Sequence, residues 1–365
     1  MTDRSAREER IAGLRLIRSE TIGPVTYWQL VSRFGSAEAA LDAIPALAAR
    51  GGGRTPQLCS RDAAEREMER TAALGARYLF RGDADYPRLL AEVESAPAAL
   101  IVRGGLDLLD RTAIAMVGAR NASAAACRFA RQLAQGIAAA GAVVVSGLAR
   151  GIDTAAHDGA LDSGTIAVVA GGIDIFYPPE NEARQRAIGE QGLLLSEQRP
   201  GLEPRARHFP SRNRIIAGLA SGTVVVEAAP KSGSLITARH AAEFGRDVMA
   251  VPGSPLDPRA QGCNLLIRDG AILVQNAEDV METIRPFTVR PVAEEGDRYS
   301  AEPPSDIAGA DRARVMDLLS PTPVAIDEIV RQSGLDAAVV QTILLESELA
   351  GRLERHAGGR VSLIA

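Results

Sequence analysis

Lysine is almost missing from this chain: Lys231 is the single one, and every other strong cation is arginine. A coding bias toward GC-rich codons is the plain account of that imbalance. The sharper one is that a lone lysine beside Ser232-Gly233-Ser234 is kept for an anion. Cysteine is sparse as well. Cys59, Cys127 and Cys263 are odd in number, far apart and in no C-x-x-C pair, which excludes a disulfide framework and points to a reducing cytosol. The four histidines, His157, His208, His240 and His356, keep no metal-ligand spacing with one another or with cysteine, so no metal site is expected. No apolar run approaches the ~18 residues of a membrane span, and the first ten residues lack the apolar core of a secretory signal. The expectation is a cytoplasmic chain without membrane insertion. The net charge is −5, so the molecule is not a polycation, and any nucleic-acid contact must rest on a local patch.

What the chain does have is 365 residues, 46% of them hydrophobic, with abundant glycine and alanine. That suffices for two or three domains with closely packed layers. Residues 1–90 read as a helical domain with a connecting segment. Apolar residues Ile11, Leu14, Leu16 and Ile17 recur on a helical face, Thr21-Ile22-Gly23-Pro24 makes a turn, and amphipathic helices follow over 25–34, from 36 through Leu41, and over 60–74. Helix, Ile-Gly-Pro turn, helix resembles a SAM-like or helix-hairpin-helix element, with simple helical packing the leading reading. Residues 91–285 alternate short apolar strands with helices: 114–117, 143–145, 165–169, 192–195, 223–226, 248–251 and an edge at 272–274. This indicates a Rossmann-like α/β domain, a doubly wound, mostly parallel sheet covered on both faces. Residues 286–309 turn to Pro, Glu, Asp, Ser and Gly and read as a linker. Residues 310–365 give three helices and a β-hairpin, a winged-helix-like pattern. Its third helix, 336–350, carries no arginine or lysine, which argues against ordinary reading of a major groove.

Chemistry concentrates in the α/β block. Ser146-Gly147-Leu148-Ala149-Arg150-Gly151-Ile152-Asp153 follows an apolar strand and opens a helix. Such turns offer backbone N–H groups at the positive end of a helix, a seat for phosphate. Val117-Gly118-Ala119-Arg120-Asn121 and Lys231-Ser232-Gly233-Ser234 are related turns, and all three fall at carboxyl ends of strands, where the ligand crevice of a doubly wound sheet lies. The dinucleotide fingerprint G-x-G-x-x-G, the Walker motif and the G-x-S-x-G elbow are all absent, so no nucleotide cofactor is expected. Asp153 and His157 stand at i and i+4, a spacing better explained by capping and surface pairing than by acid–base work. Glu227, just past a strand, is the best candidate general acid or base, against the plain alternative that it orients nearby amides or arginines. Between Gln198 and Leu219, five arginines gather with His208 and Phe209. With Ser211 read as the cap of a helix starting at Arg212, cations would crowd a helix N-terminus against its dipole, a conflict that a bound anion relieves. Phe209 offers a face on which a base can stack.

Several motifs recur together in order: Val-Gly-Ala-Arg (117–120), Ser-Gly-Leu-Ala-Arg-Gly-Ile-Asp (146–153), Gly-Gly-Ile-Asp-Ile-Phe-Tyr-Pro-Pro-Glu-Asn (171–181), Phe-Pro-Ser-Arg-Asn-Arg-Ile-Ile-Ala-Gly-Leu (209–219), Ser-Gly-Ser-Leu-Ile-Thr-Ala (232–238) and Gly-Cys-Asn-Leu-Leu-Ile (262–267). In this order they resemble the DNA-processing protein A family (DprA, also called Smf), over the whole α/β block. The resemblance implies a non-catalytic protein that binds and protects single-stranded DNA during natural transformation, helps load the RecA recombinase, and works as a homodimer. Carried over by motif, it implies DNA contacts from Arg120, Asn121, Ser146, Gly147, Arg150, Tyr177, Asn181, Arg212, Asn213, Arg214, Lys231, Ser232, Gly233 and Ser234, with no catalytic residue, metal or cofactor. Many members carry a lysine beside the Tyr-Pro element. Here Tyr177-Pro178 is followed by Pro179 and Glu180, leaving Arg184 or Arg259 to compensate. Two other functions stay open: a nucleotide-processing enzyme of the lysine-decarboxylase-like phosphoribohydrolase class using Glu227, and a duplex-specific regulator acting through the winged helix.

Overall fold

The computed structural model of the chain describes residues 3–284, 307–356 and 358–364. The expected linker, 286–309, lies outside the described residues apart from 307–309. By internal contacts the chain divides into two units, Met1–Glu65 with Arg290–Ala365, and Arg66–Val289.

Helices α1 (Asp3–Arg18), α2 (Pro24–Phe34) and α3 (Ala37–Arg50) begin the first unit. Ser36 caps α3 by accepting from the Ala39 amide at 3.2 Å, and Gly35 at φ 79° ends α2 in the left-handed region. The expected helix through Leu41 continues to Arg50 because its apolar period continues: Ala37, Ala40, Leu41, Ile44, Leu47 and Ala48 are all buried. Helix α4 (Arg61–Ala73) follows.

The second unit carries β1 (Arg77–Phe80), α5 (Arg88–Ala91), β2 (Ala99–Gly104), β3 (Ala113–Val117), α6 (Ala124–Ala139), β4 (Val143–Ser146), α7 (Ile152–Ala160), β5 (Thr165–Val169), α8 (Glu182–Gln191), β6 (Leu193–Ser196), α9 (His208–Leu219), β7 (Gly222–Val225), α10 (Ser234–Glu243), β8 (Asp247–Ala250), α11 (Gln261–Arg268), β9 (Ile272–Leu273) and α12 (Ala277–Ile284). The strands form one sheet in the order β1-β2-β6-β5-β4-β3-β7-β8-β9. It is parallel from β6 to β9, while β2 runs antiparallel to β6 and β1 to β2. Its central strands are buried on both faces, and the period of two assigns each residue a side. Ala113, Ala115, Val117, Val143 and Val145 pack with Leu90, Ile215, Ile216 and Leu219 of α5 and α9. Their neighbours Ile114, Met116 and Val144 pack with Leu133 and Ile137 of α6, Ile152 and Ala156 of α7 and Val280 of α12. The architecture is the expected doubly wound sheet. The chain winds outward from β3 in both directions, so the carboxyl ends of β3 and β7 flank the point where strand order reverses.

The C-terminal part of the first unit contains α13 (Gly309–Asp317), β10 (Val324–Ala325), α14 (Ile326–Ser333), α15 (Ala337–Leu349), β11 (Leu353–His356) and β12 (Arg360–Leu363). It is a winged helix built around Val315, Ile329, Val340, Ile343, Leu344, Leu353 and Val361. Its third helix, α15, packs on α3 as well as on its own domain, and residues 342–350 are all buried. The buried Glu346 pairs with Arg50 at 3.2 Å and with Arg312. Glu348 accepts from the Thr26 hydroxyl at 2.8 Å and pairs with Arg355 at 2.8 Å, and its burial pushes its carboxyl above the ordinary range. A side chain at Gly51 would overlap the Glu346 carbonyl oxygen. The helix that would enter a duplex groove is therefore covered by the N-terminal helices. Among the described residues no helix is long and apolar enough to cross a membrane.

Candidate nucleic-acid interface

The site is built from the turns after β3 and β4, which are tied to each other and to β7. The Ala119 amide donates to the Glu227 carbonyl at 2.6 Å, and the Ile152 amide donates to the Ala119 carbonyl at 3.3 Å. Gly151 sits at φ 75°, and a Cβ there would overlap the Ala119 carbonyl oxygen, so both conformation and space demand glycine. Leu148, buried, also adopts a left-handed φ of 56°. Its carbonyl accepts from the Asn181 side-chain amide at 2.9 Å, which also reaches the Thr154 hydroxyl at 2.9 Å. The Ser146 hydroxyl donates to the Met116 carbonyl at 2.6 Å. These bonds hold an otherwise strained loop.

The turn differs from its expected form in one respect. The Gly147 and Ala149 amides do not face outward for a phosphate. They donate to Oδ2 of Asp153, at 3.2 and 3.3 Å. The turn thus carries its own anion, a buried carboxylate at the start of α7. Arg212 lies beneath it, donating from Nη1 to the Gly147 and Val168 carbonyls. Burial pushes the Asp153 carboxyl up and the Arg212 guanidinium down to about 10, while their mutual attraction opposes both shifts. His157, one turn on, does not bond Asp153. Its Nδ1 meets the Thr165 hydroxyl at 2.9 Å, and burial lowers its pKa to about 3.

The helix containing Arg212 also starts earlier than expected. Helix α9 begins at His208, and the Ser211 hydroxyl donates backward to the Arg207 carbonyl at 3.1 Å instead of capping. Arg212 and Arg214 are therefore interior helical residues, and the conflict with the helix dipole disappears. Arg214 binds the Ser95 carbonyl and Glu197, in a pair that is mostly buried.

Above Arg212 opens a cavity of about 340 Å³. Arg120 and Asn121 line it from the β3 turn, Gly147, Ala149 and Arg150 from the β4 turn, and Ile175, Tyr177, Pro178, Pro179 and Phe209 from the facing segments. Tyr177 is 47% exposed, and its ring lies 5.5 Å from that of Phe209. The Arg120 guanidinium stands 5.1 Å from the Phe209 ring centre. The arrangement offers flat apolar faces for a base beside cations for its phosphates.

Of the residues expected at a site, the structure brings Arg120, Asn121, Gly147, Arg150, Tyr177 and Arg212 around this cavity. Ser146 and Asn181 support it from below. Asn213, Arg214, Lys231, Ser232, Gly233, Ser234 and Arg259 lie outside its lining. Asn213 donates to the Gly233 carbonyl at 3.3 Å, and the Ser232 amide is used by the Ala229 carbonyl at 2.9 Å. Arg259 chelates Asp257 at 2.9 and 3.1 Å and stands 3.7 Å from Glu227. Arg184, the other candidate replacement cation, is held by Asp158 at 2.6 Å. Glu227 accepts from the Ser123 amide at 3.1 Å and its hydroxyl at 2.7 Å, and Ser123 in turn caps α6 through the Ala126 amide at 3.0 Å. That is the orienting role, outside the cavity. Ile175, Pro178 and Pro179 fall inside the 171–181 motif but, with Pro204, were not expected as the apolar walls of the cavity.

The family described as "DNA recombination-mediator protein A" matches residues 77–285 of this chain. The chain belongs to the DprA/Smf family. A DprA-like N-terminal HHH domain matches residues 7–70, and a DprA winged helix domain matches 300–359. The chain is 50% identical to the DNA processing protein DprA of Streptococcus pneumoniae over 198 residues, 54% of this chain and 70% of that one. It is 32% identical to the protein Smf of Synechocystis over 97% of this chain and 99% of that one. The crystal structure of the pneumococcal DprA superimposes with a TM-score of 0.63 at 36% identity, covering 77% of this chain and 98% of that one. The DNA processing protein A of Helicobacter pylori, described for its single-stranded DNA binding mode, gives 0.53 at 29% identity, covering 57% of this chain and 95% of that one.

Proposed function

We propose that this chain binds single-stranded DNA in the cavity at the carboxyl ends of β3, β4 and β5, without catalysis and with little regard to sequence. The observation that carries the reading is the pairing of Arg120 and Arg150 with the Tyr177–Phe209 faces around one cavity. Cations neutralise backbone phosphates, and the aromatic faces accept any base that is not paired. The single-strand binding mode described for the Helicobacter pylori relative supports it. The covered third helix of the winged helix supports a single strand over a duplex. The anchoring of Glu227 on Ser123 supports a binding protein over a nucleotide-cleaving enzyme.

The family resemblance supports the further steps: protection of incoming DNA, delivery to the RecA recombinase during natural transformation, and action as a cytoplasmic homodimer. The edge strand β9, which leaves Ile272 and Leu273 exposed at the rim of the sheet, offers a surface for a second copy. An electrophoretic shift with an oligothymidylate and a matched duplex tests the core reading. Preference for the single strand, lost progressively as salt rises, is the expected result; equal or stronger duplex binding overturns it.

A further inference from the structure

Arg150 stands at the cavity mouth, and its guanidinium is held by Glu180. Both side chains face solvent, at 60% and 50% exposure. Glu180 belongs to a fixed lip. The next residue, Asn181, is buried, its side chain bonded to Leu148 of the β4 turn and Thr154 of α7 and its amide to the Pro178 carbonyl at 3.0 Å. The fold therefore presents a carboxylate directly to one of the cations that faces incoming phosphate. In charge and acceptor geometry a carboxylate is a stand-in for a phosphate edge.

We propose that Glu180 is a built-in competitor of the DNA phosphate for Arg150, a residue that sets the affinity threshold of the cavity. The proposal rests on the single-strand reading above. An exposed pair is weak, so a phosphate can displace it. Yet a tethered carboxylate acts at an effective concentration on the order of millimolar or more. A free mononucleotide, which brings one phosphate at lower concentration, does not displace it. A strand also anchored at Arg120 and on the aromatic faces brings its next phosphate at a comparably high local concentration, and does. The competition thereby raises the affinity threshold for every phosphate ligand, and a strand with its other anchors clears it at concentrations where a mononucleotide does not.

Equilibrium binding of an oligothymidylate, and competition by dTMP, test this with the full chain and five variants: Glu180→Gln, Arg150→Gln, the two combined, Arg120→Ala, and Glu190→Gln as a charge-matched control outside the cavity lining. Glu180→Gln is expected to tighten both ligands about three- to tenfold, bringing dTMP competition into the measurable range. The gain should vanish when Arg150 is Gln, and Glu190→Gln should change binding by less than about twofold. If Glu180→Gln binds no more tightly than Glu190→Gln, or its gain survives without Arg150, the competitor role is wrong. Loss of binding in Arg120→Ala alongside a silent Glu180→Gln overturns this proposal alone. Unchanged binding in Arg120→Ala overturns the single-strand reading itself.

Discussion

Asp153 directs its carboxylate into the molecule, onto the Gly147 and Ala149 amides and toward the buried Arg212. Removing it strands one buried and one part-buried donor and leaves a buried guanidinium without its counter-charge. Asp153→Ala should therefore lose about 3 kcal/mol of unfolding free energy in urea, where an exposed carboxylate would lose almost nothing. His157 makes a pH prediction. Its folded pKa of about 3 lies below the ordinary value of 6.5, so the unfolded chain takes up a proton first as pH falls. Its contribution is complete above about pH 6.5 and shrinks toward pH 3. Between pH 7 and 5 the wild type should lose about 2 kcal/mol relative to His157→Gln, measured by denaturant unfolding at each pH. Parallel pH profiles for the two proteins would show that His157 is not buried as a neutral ring.

At the scale of elements, helix α9 separates two arginines that look alike in sequence. Arg212 points under the β4 turn, and Arg214 points away to Ser95 and Glu197. Arg214→Ala should cost about 2 kcal/mol of stability through its part-buried pair while leaving the salt dependence of DNA binding unchanged. The sheet was legible because buried parallel strands are short apolar runs bounded by glycine turns. That Arg212 and Arg214 are interior helical residues was not, because it depends on where α9 begins. A Ser-Arg-Asn-Arg string reads as a capped start, whereas His208 and the preceding turn start the helix one turn sooner. Likewise Ser146–Asp153 reads as a seat for a ligand phosphate, whereas its Gly147 and Ala149 amides are already bonded. Only the folded turn shows that the anion is residue 153 of the same chain.

At the scale of the molecule, the winged helix and the N-terminal helices share one buried polar seam. Glu346→Ala would leave Arg312 and Arg50 without their partner and should cost about 3 kcal/mol, seen as faster hydrogen exchange across α15. The absence of basic residues on that helix was visible in sequence; its burial against α3 was not, since nothing local marks an interdomain face. Overall charge is −5, so the proposed strand binding rests on the few cations gathered at one cavity. Salt dependence of oligothymidylate binding by the wild type, Arg120→Ala and Arg214→Ala tests that claim most directly. The account predicts weaker binding and a log–log salt slope reduced by about 0.7 for Arg120→Ala, with the wild-type slope kept in Arg214→Ala. A wild-type slope and affinity in Arg120→Ala would contradict it.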